Sequence, residues 1–133
     1  MFVPLNYDKE PIEVPATASE VFVKGAALVY ASGLVTAAAS STATDIWLVT
    51  AEAKTIGSGG GNIKCYPTVG VLYEADCDAA WATANIGTLA DLASVTTINP
   101  DASDNDLFYI ASGVGVTAVG TKVRGFFQHV NET

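Results

Sequence analysis

Short apolar stretches separated by polar or glycine-containing breaks recur along the chain, and this pattern constrains the fold more than any other feature. Stretches such as ALVYA, LVTAA and DLFYIA are rich in branched and aromatic residues, which favour the pleated surface of a β-strand. Short strands joined by polar turns, without repeated helices, are typical of a barrel or a sandwich. The sequence therefore predicts an all-β fold.

The length of 133 residues corresponds to one domain. At this size folding hides roughly two thirds of the surface that the unfolded chain exposes, so one hydrophobic core is expected and two are not. No internal repeat divides the chain. We therefore predict an extended N-terminal arm over residues 1–20 and a single β-rich domain over residues 21–133.

The first 20 residues contain Pro4, Pro11 and Pro15, which exclude a helix and favour an extended segment. Large apolar side chains on such a segment cost roughly 1.5 to 3 kcal/mol each in water, so something must cover them. The segment is either an edge strand of the chain's own sheet or an arm on a neighbouring subunit. If it is an arm, deleting residues 1–15 leaves a folded domain. The predicted partner-contact residues are Phe2, Val3, Pro4, Leu5, Tyr7, Ile12 and Val14.

Turns and loops follow from the glycine and polar segments. Ser32-Gly33 predicts a hairpin turn, because glycine tolerates the positive φ of tight turns. The glycine-rich residues 57–62 predict the tip of a long hairpin, and residues 37–44 and 112–121 predict loops. Strands are predicted near residues 20–24, 26–31, 34–38, 45–51, 106–112 and 121–130, with others in IKCYPTVGVLYEA and TLADLASVTTINP.

One short helix is predicted over residues 76–87, DCDAAWATANIG. Asp76 or Asp78 would cap its start and Gly87 would end it. Trp81 would anchor it to the sheet.

The net charge is −8, from 14 acidic and 6 basic residues, and the basic residues do not cluster. Nucleic-acid binding needs Lys and Arg to replace the counterions of the phosphates, so no nucleic-acid partner is expected. No apolar stretch approaches the ~20 residues that cross a bilayer, so no membrane partner is expected. The first residues lack the pattern of a secretion signal, which predicts synthesis in a cytoplasm.

Few residues could carry catalysis or hold a metal. The only His is His129, in the last predicted strand, where packing or exposure to solvent explains it better than catalysis. Cys65 and Cys77 are expected to be reduced, buried thiols, with a disulfide as the alternative. Together with His129 they match no zinc motif. The sequence therefore predicts neither an enzyme nor a cofactor or metal site.

The acidic stretch PDASDND carries Asp101, Asp104 and Asp106 but lacks the glycine and terminal glutamate of a calcium loop. It is either a weak surface calcium site or a turn in which Asp and Asn side chains hydrogen-bond nearby backbone amides. The spacing of the glycine-rich segments 57–62 and 112–121 matches no phosphate-binding or dinucleotide-binding loop.

The stretch from Ile86 to Val130 resembles the small head decoration, or cement, proteins of tailed bacteriophages. The resemblance rests on Gly87-Thr88, Asn99-Pro100-Asp101, Asn105-Asp106-Leu107-Phe108 and the closing TKVRGFFQHV. It implies a small β-tulip-like barrel or sandwich on the outer capsid surface of a virion. Such proteins are made in the host cytoplasm and clamp adjacent subunits of the major capsid protein. They also bind copies of themselves, most often as trimers and sometimes as dimers, and they supply no catalytic residues to carry over.

Two other functions stay open from the residues alone. A surface-displayed host-recognition or carbohydrate-binding module would use exposed aromatic rings, and the available rings are Trp47, Trp81, Tyr30, Tyr66 and Tyr73. A small hydrolase would need two convergent carboxylates in a concave pocket.

Overall fold

The structure is a computed structural model that describes residues 1–114 and 121–129. These residues form 13 strands and a single 3-10 turn at Thr83–Asn85, which confirms the all-β prediction. Parts of the predicted loop 112–121 and strand 121–130 lie outside the described residues. The strands are β1 (Val3–Pro4), β2 (Ile12–Ala16), β3 (Val21–Phe22), β4 (Ala27–Ala31), β5 (Leu34–Ala37), β6 (Leu48–Thr50), β7 (Lys54–Thr55), β8 (Gly61–Pro67), β9 (Tyr73–Cys77), β10 (Leu89–Ser94), β11 (Thr97–Asn99), β12 (Phe108–Gly113) and β13 (Lys122–Phe127).

Five strands form a closed barrel with the hydrogen-bonded order β2-β5-β4-β6-β8. The pairs are antiparallel except β2 with β5, which run parallel and meet at Ala16 and Val35. Ser32 and Gly33 join β4 to β5 with φ angles of 54° and 83°. A two-residue type I′ hairpin needs positive φ at both positions, so the predicted turn is confirmed.

The second sheet has the order β1-β9-β11-β10-β12-β13, and β13 also pairs with β9. Five of its strands therefore close into a ring, and β1 is attached to β9. Residues 73–74 of β9 pair with β1, whereas residues 76–77 pair with β11. The strands β1 and β11 therefore pair with different parts of the same edge of β9. The short strands β3 and β7 form a separate two-stranded sheet.

Two hydrophobic clusters fill the two closed sheets, which corrects the expectation of a single core. Leu28 and Leu48 belong to the smaller cluster inside the barrel, whereas their neighbours Ala27 and Val49 belong to the larger one. Successive strand residues point to opposite faces, so β4 and β6 form a wall between the cores. Because this shared wall is buried on both sides, a chain of this length can support both clusters.

The N-terminal segment is extended as predicted, but it belongs to the chain's own sheets. Phe2 is 1% exposed and lies in the larger cluster. β1 pairs with β9, and all five residues of β2 pair with β8. The segment is therefore paired with strands of the chain's own sheets, which is the first of the two alternatives that the sequence left open. Residues 1–20 are part of the domain and not an arm appended to it.

The helix predicted over residues 76–87 is not formed. Asp76 and Cys77 complete β9, where Asp76 lies opposite both Thr97 and Lys122. A helix shorter than about 12–15 residues is marginal without strong tertiary support, and here strand pairing takes the first residues of the segment. Trp81 does anchor the segment: it is 7% exposed and belongs to the larger cluster.

The glycine-rich residues 57–60 lie in the connection between β6 and β8, which pair antiparallel as a long hairpin would. That connection also contains β7, which pairs with β3. The apolar run IKCYPTVGVLYEA does not form one strand. It turns at Gly70, whose φ is 69°, and divides into β8 and β9, which belong to different sheets.

Candidate functional site

The seven predicted partner-contact residues divide into three groups by exposure. Phe2 is buried in the larger cluster. Leu5 and Ile12 are 42% and 45% exposed. Four are half-buried: Val3, Pro4, Tyr7 and Val14. Leu5 and Ile12 are thus the predicted residues that offer the most apolar surface to a partner.

A groove of about 200 Å³, which we call the N-terminal groove, opens beside β1. Met1, Lys24 and Tyr66 lie among its lining residues, with polar and apolar groups mixed. Four of the predicted contact residues also line it: Phe2, Val3, Pro4 and Tyr7. The structure therefore brings these four together, whereas Leu5, Ile12 and Val14 lie outside the groove lining.

Gly25 positions the start of the chain in this groove. The Phe2 amide donates a hydrogen bond of 2.9 Å to the Gly25 carbonyl oxygen. Gly25 has a φ of +73°, and a Cβ built on it would lie 2.4 Å from the Met1 Cβ. Only glycine combines this conformation with so close an approach. On the other side of the groove the rings of Tyr7 and Tyr66 meet edge to face, with centroids 5.7 Å apart.

Asp76 holds two cations next to the groove. Its carboxylate pairs with the ammonium of Met1 and with the Nζ atom of Lys122. Burial alone raises the pKa of Asp76, but the hydrogen bonds and charges of these cations outweigh it and hold the pKa below its ordinary value. The stabilisation is therefore present at neutral pH and is lost as the pH falls through the folded-state pKa.

Exposed apolar side chains are concentrated at the start of the chain. Among the described residues eight large hydrophobic side chains are exposed, and five of them lie within the first 23 residues. The five are Met1, Leu5, Ile12, Val21 and Val23. Exposed apolar residues scattered singly are ordinary, whereas their concentration in one segment makes that segment the candidate contact region of the chain.

The acidic turn is organised by Asp91, a residue of β10 that is 5% exposed. Its carboxylate accepts hydrogen bonds from the backbone amides of Asp104, Asn105 and Asp106, at 2.9, 2.7 and 3.0 Å. The stretch is therefore a turn bonded through its backbone amides, but their acceptor is Asp91 of β10 and not, as expected, an Asp or Asn side chain of the stretch itself. No three His, Cys, Asp or Glu side chains within 1–114 and 121–129 are grouped to hold a metal ion.

Replacing Asp91 with alanine is expected to lower the free energy of unfolding by about 2–3 kcal/mol, because three amides lose a charged acceptor. Asp91→Asn keeps one acceptor oxygen and should lose less. Urea unfolding measures both effects. Asp104→Ala, an exposed residue of the same turn, is the control and should stay within about 0.5 kcal/mol of the wild type. Equal losses for Asp91→Ala and Asp104→Ala would contradict this role.

An open groove of about 410 Å³ lies beside the same turn. Asp101 and Asp106 both line it, but lining one open groove does not by itself make them the convergent pair that the hydrolase hypothesis requires. Asp101 accepts a hydrogen bond of 3.3 Å from the Asn85 side chain, which also donates to the Pro100 carbonyl oxygen at 2.9 Å. Its described lining contains no aromatic ring and no basic side chain, so the groove offers hydroxyl groups and hydrogen-bond acceptors.

A third groove, of about 240 Å³, is lined by Tyr30, Thr44, Asp45 and Trp47, and we call it the aromatic groove. Tyr30 is 52% exposed and Asp45 is 5% exposed. Of the other rings considered from the sequence, Trp81 and Tyr73 are buried and Tyr66 is half-buried. The aromatic groove is therefore where the chain combines exposed aromatic surface with a carboxylate.

His129 supports the Trp47 side of the aromatic groove. Its ring stacks on Trp47 with centroids 4.3 Å apart and an interplanar angle of 30°. Its Nε2 atom lies 2.9 Å from the Thr68 hydroxyl oxygen and 3.2 Å from the Ile46 carbonyl oxygen. His129 thus packs as the sequence favoured, and its contacts fix the position of the Trp47 ring.

Both cysteines are free and buried, in different clusters: Cys65 in the smaller and Cys77 in the larger. This agrees with the preferred expectation of reduced thiols. Burial, with a contribution from the charge of Glu52, raises the pKa of Cys65 to about 12. Burial and the charges of neighbouring aspartates raise the pKa of Cys77 to about 11. Neither thiol is suited to act as a nucleophile at neutral pH.

Neither thiol is expected to react with Ellman's reagent in the native protein at about pH 8, near the ordinary pKa of a thiol. Both should react once guanidinium unfolds the chain. The free energy of unfolding should also fall as the pH rises from 9.0 towards about 12, because the unfolded chain releases the Cys65 proton before the folded protein does. Rapid labelling in native buffer would contradict the burial of the thiols.

Sequence reasoning missed Asp91 and the aromatic groove. The sequence did contain an indication of the role of Asp91. It is an acidic residue in the middle of the apolar stretch LADLAS, where an inward-facing carboxylate needs hydrogen-bond donors. The indication of the aromatic groove in the sequence was weaker. Tyr30 and Trp47 stand in two strand-like stretches, and their meeting depends on the pairing of β4 with β6.

Comparison with known proteins gives no relative for this chain: no family model matches it, and no curated protein or solved structure matches it significantly. Among the described residues, no helix is long and apolar enough to cross a membrane.

Proposed function

We propose that the protein is a capsid decoration protein, which binds the outer surface of a phage head and stabilises contacts between subunits of the major capsid protein. The observation that carries the proposal is the concentration of exposed apolar side chains at the start of the chain, five of eight within 23 residues. β1, β2 and β3 hold this segment on paired strands, so little order has to be gained on binding.

The charge and the assembly expected of such a protein agree with this surface. A net charge of −8 is unfavourable for contact with DNA and suits a protein outside the shell. Many copies on one lattice can each bind modestly and still hold firmly. We expect copies of the chain to contact one another as a trimer, with a dimer as the alternative. The expected location is the outer capsid surface of the virion, after synthesis in the host cytoplasm.

The side chains that most often perform catalysis have structural roles here, which favours a non-enzymatic protein. The pKa values of both thiols are raised by burial. The His129 ring is held by Trp47, Thr68 and Ile46. The proposal therefore assigns the function to contact surfaces.

The test uses expanded heads of the encoding phage that lack the protein. Purified wild-type protein should sediment with these heads and raise the temperature at which they rupture. Replacing Leu5 and Ile12 together with aspartate should weaken binding by at least about tenfold, because two charges then oppose burial of an apolar surface. Leu34→Asp is the control, since Leu34 is 38% exposed and lies in the hairpin between β4 and β5, and it should bind normally.

Two results would overturn the proposal: wild-type protein that stays in the supernatant, or bound protein that leaves the rupture temperature unchanged. Circular dichroism of each variant shows whether it is folded. Loss of binding by Leu34→Asp to the same extent as by the double variant would move the contact away from the N-terminal segment.

A further inference from the structure

The aromatic groove has the composition of a small-molecule site. Tyr30 exposes half of its side chain, and the Trp47 ring is held in place by His129. Asp45 is almost completely buried where it lines the groove, and Thr44 adds a hydroxyl group. Aromatic surface together with a few polar groups that fix orientation is the usual chemistry of ligand pockets, which are common at the mouths of β-barrels.

The groove also lies at the mouth of the first barrel. Tyr30 is near the end of β4, and its strand partner is Val35, a residue of the barrel interior. Trp47 immediately precedes β6 and packs against the same cluster. Both aromatic side chains therefore stand at one end of the barrel core, supported from below by packed side chains.

We infer that the aromatic groove binds a single pyranose ring of a saccharide. A pyranose has an apolar C–H face that stacks on an aromatic ring and a rim of hydroxyl groups. The Tyr30 hydroxyl, the Thr44 hydroxyl and the Asp45 carboxylate can exchange hydrogen bonds with that rim, and those to a carboxylate are the stronger ones. The volume of about 240 Å³ is below that of pockets for drug-sized ligands, which suits one ring.

The charges of the groove argue against other ligand classes. The described lining of the groove contains no basic side chain, so phosphates and other anions find no cation to pair with there. A quaternary ammonium ion would be attracted by the rings and by Asp45, but its methyl groups could not use the two hydroxyl groups of the groove. A neutral polyhydroxylated ring uses both the aromatic and the polar parts, so the saccharide is the occupant that this arrangement favours.

This site is separate from the proposed capsid contact. Gly25, which lines the N-terminal groove, precedes β4, whereas Tyr30 is the fourth residue of that strand. A strand rises by about 3.3 Å per residue, so the two grooves lie near opposite ends of β4. The saccharide inference therefore does not depend on the capsid role, and an experiment can contradict either one without contradicting the other.

Saturation-transfer NMR on the full chain tests the inference with methyl glucopyranosides, methyl galactopyranosides and N-acetylglucosamine. At about 10 mM even a millimolar complex is mostly formed. At least one pyranoside should receive saturation, strongest at its ring C–H protons. Tyr30→Ala should weaken that binding by about tenfold, the loss of one stacked ring. Leu34→Ala, an exposed residue of the same hairpin, should leave it unchanged.

The remaining outcomes decide against the inference. Absence of saturation on every pyranoside, or saturation of choline alone, would overturn it. A pyranoside Kd that is unchanged from the wild type in both Tyr30→Ala and Trp47→Phe would overturn it too. If a free pyranoside binds, bacterial surface polysaccharide is the next probe, and stronger binding of the polymer would identify a displayed glycan as the source of the ring. Head binding by Tyr30→Ala, measured alongside, should equal that of the wild type.

Discussion

Replacing Phe2 with alanine is expected to lower the free energy of unfolding by about 3–5 kcal/mol, the usual cost of removing a buried phenylalanine ring. The ring is 1% exposed and packs against Phe127 and Phe108, with centroids 4.9 and 6.1 Å away. Its loss leaves a cavity between the start of the chain and two strands of the second sheet. Urea unfolding followed by tryptophan fluorescence measures the change.

Two further variants distinguish the contribution of Phe2 packing to stability from that of the other residues of the N-terminal segment. Leu5→Ala, at a position that is 42% exposed, should cost less than about 1 kcal/mol. Deleting residues 1–15 should prevent folding, since it removes Phe2, β1 and four of the five residues through which β2 pairs with β8. This replaces the expectation of a detachable arm. A deletion variant with wild-type circular dichroism and a cooperative transition would contradict the packing of the segment.

Replacing Gly125 with alanine should have an effect of similar size. A Cβ at this position of β13 would lie 1.8 Å from the Tyr109 carbonyl oxygen and 2.9 Å from a ring carbon of Phe108. The first neighbour is backbone and cannot rotate away, so β12 and β13 would have to separate. Overpacking a core typically costs about 1–3 kcal/mol, occasionally more, and we expect a loss at the upper end of this range.

Gly59→Ala is the matched control for Gly125→Ala. No atom lies within 4 Å of a Cβ built on Gly59, so alanine fits there without contact. Its stability should equal or slightly exceed that of the wild type, because alanine reduces the freedom of the unfolded chain. Thermal unfolding of the three proteins at one pH makes the comparison. Equal midpoints for Gly125→Ala and the wild type would mean that β12 and β13 do not approach so closely.

The class of the fold could be predicted because it depends on local patterns. Ser32-Gly33 adopts the conformation that its hairpin demands, and the stretch around Leu28 forms the expected strand. The second core could not be predicted in this way. It requires Ala27 and Leu28 to face different clusters, which depends on strand pairing across the chain.

The failed helix and the candidate sites show the same limit. Residues 76–87 have the local composition of a short helix, yet pairing of Asp76 with β11 and β13 is decided by distant residues. The sequence suggested contacts near the start of the chain, and the structure does expose Leu5 and Ile12 there. It gave no indication that Tyr30, Asp45 and Trp47 share a groove, because no short motif connects them.

The contact of Phe2 with Phe127 also has a consequence for biosynthesis. Phe2 and Phe127 are far apart in sequence, so the larger cluster cannot close until the ribosome has made β13. Pairings between such distant segments make folding slow, and unfinished chains expose strand edges that aggregate. We therefore expect chaperones that cover apolar strands to increase the yield of the folded protein.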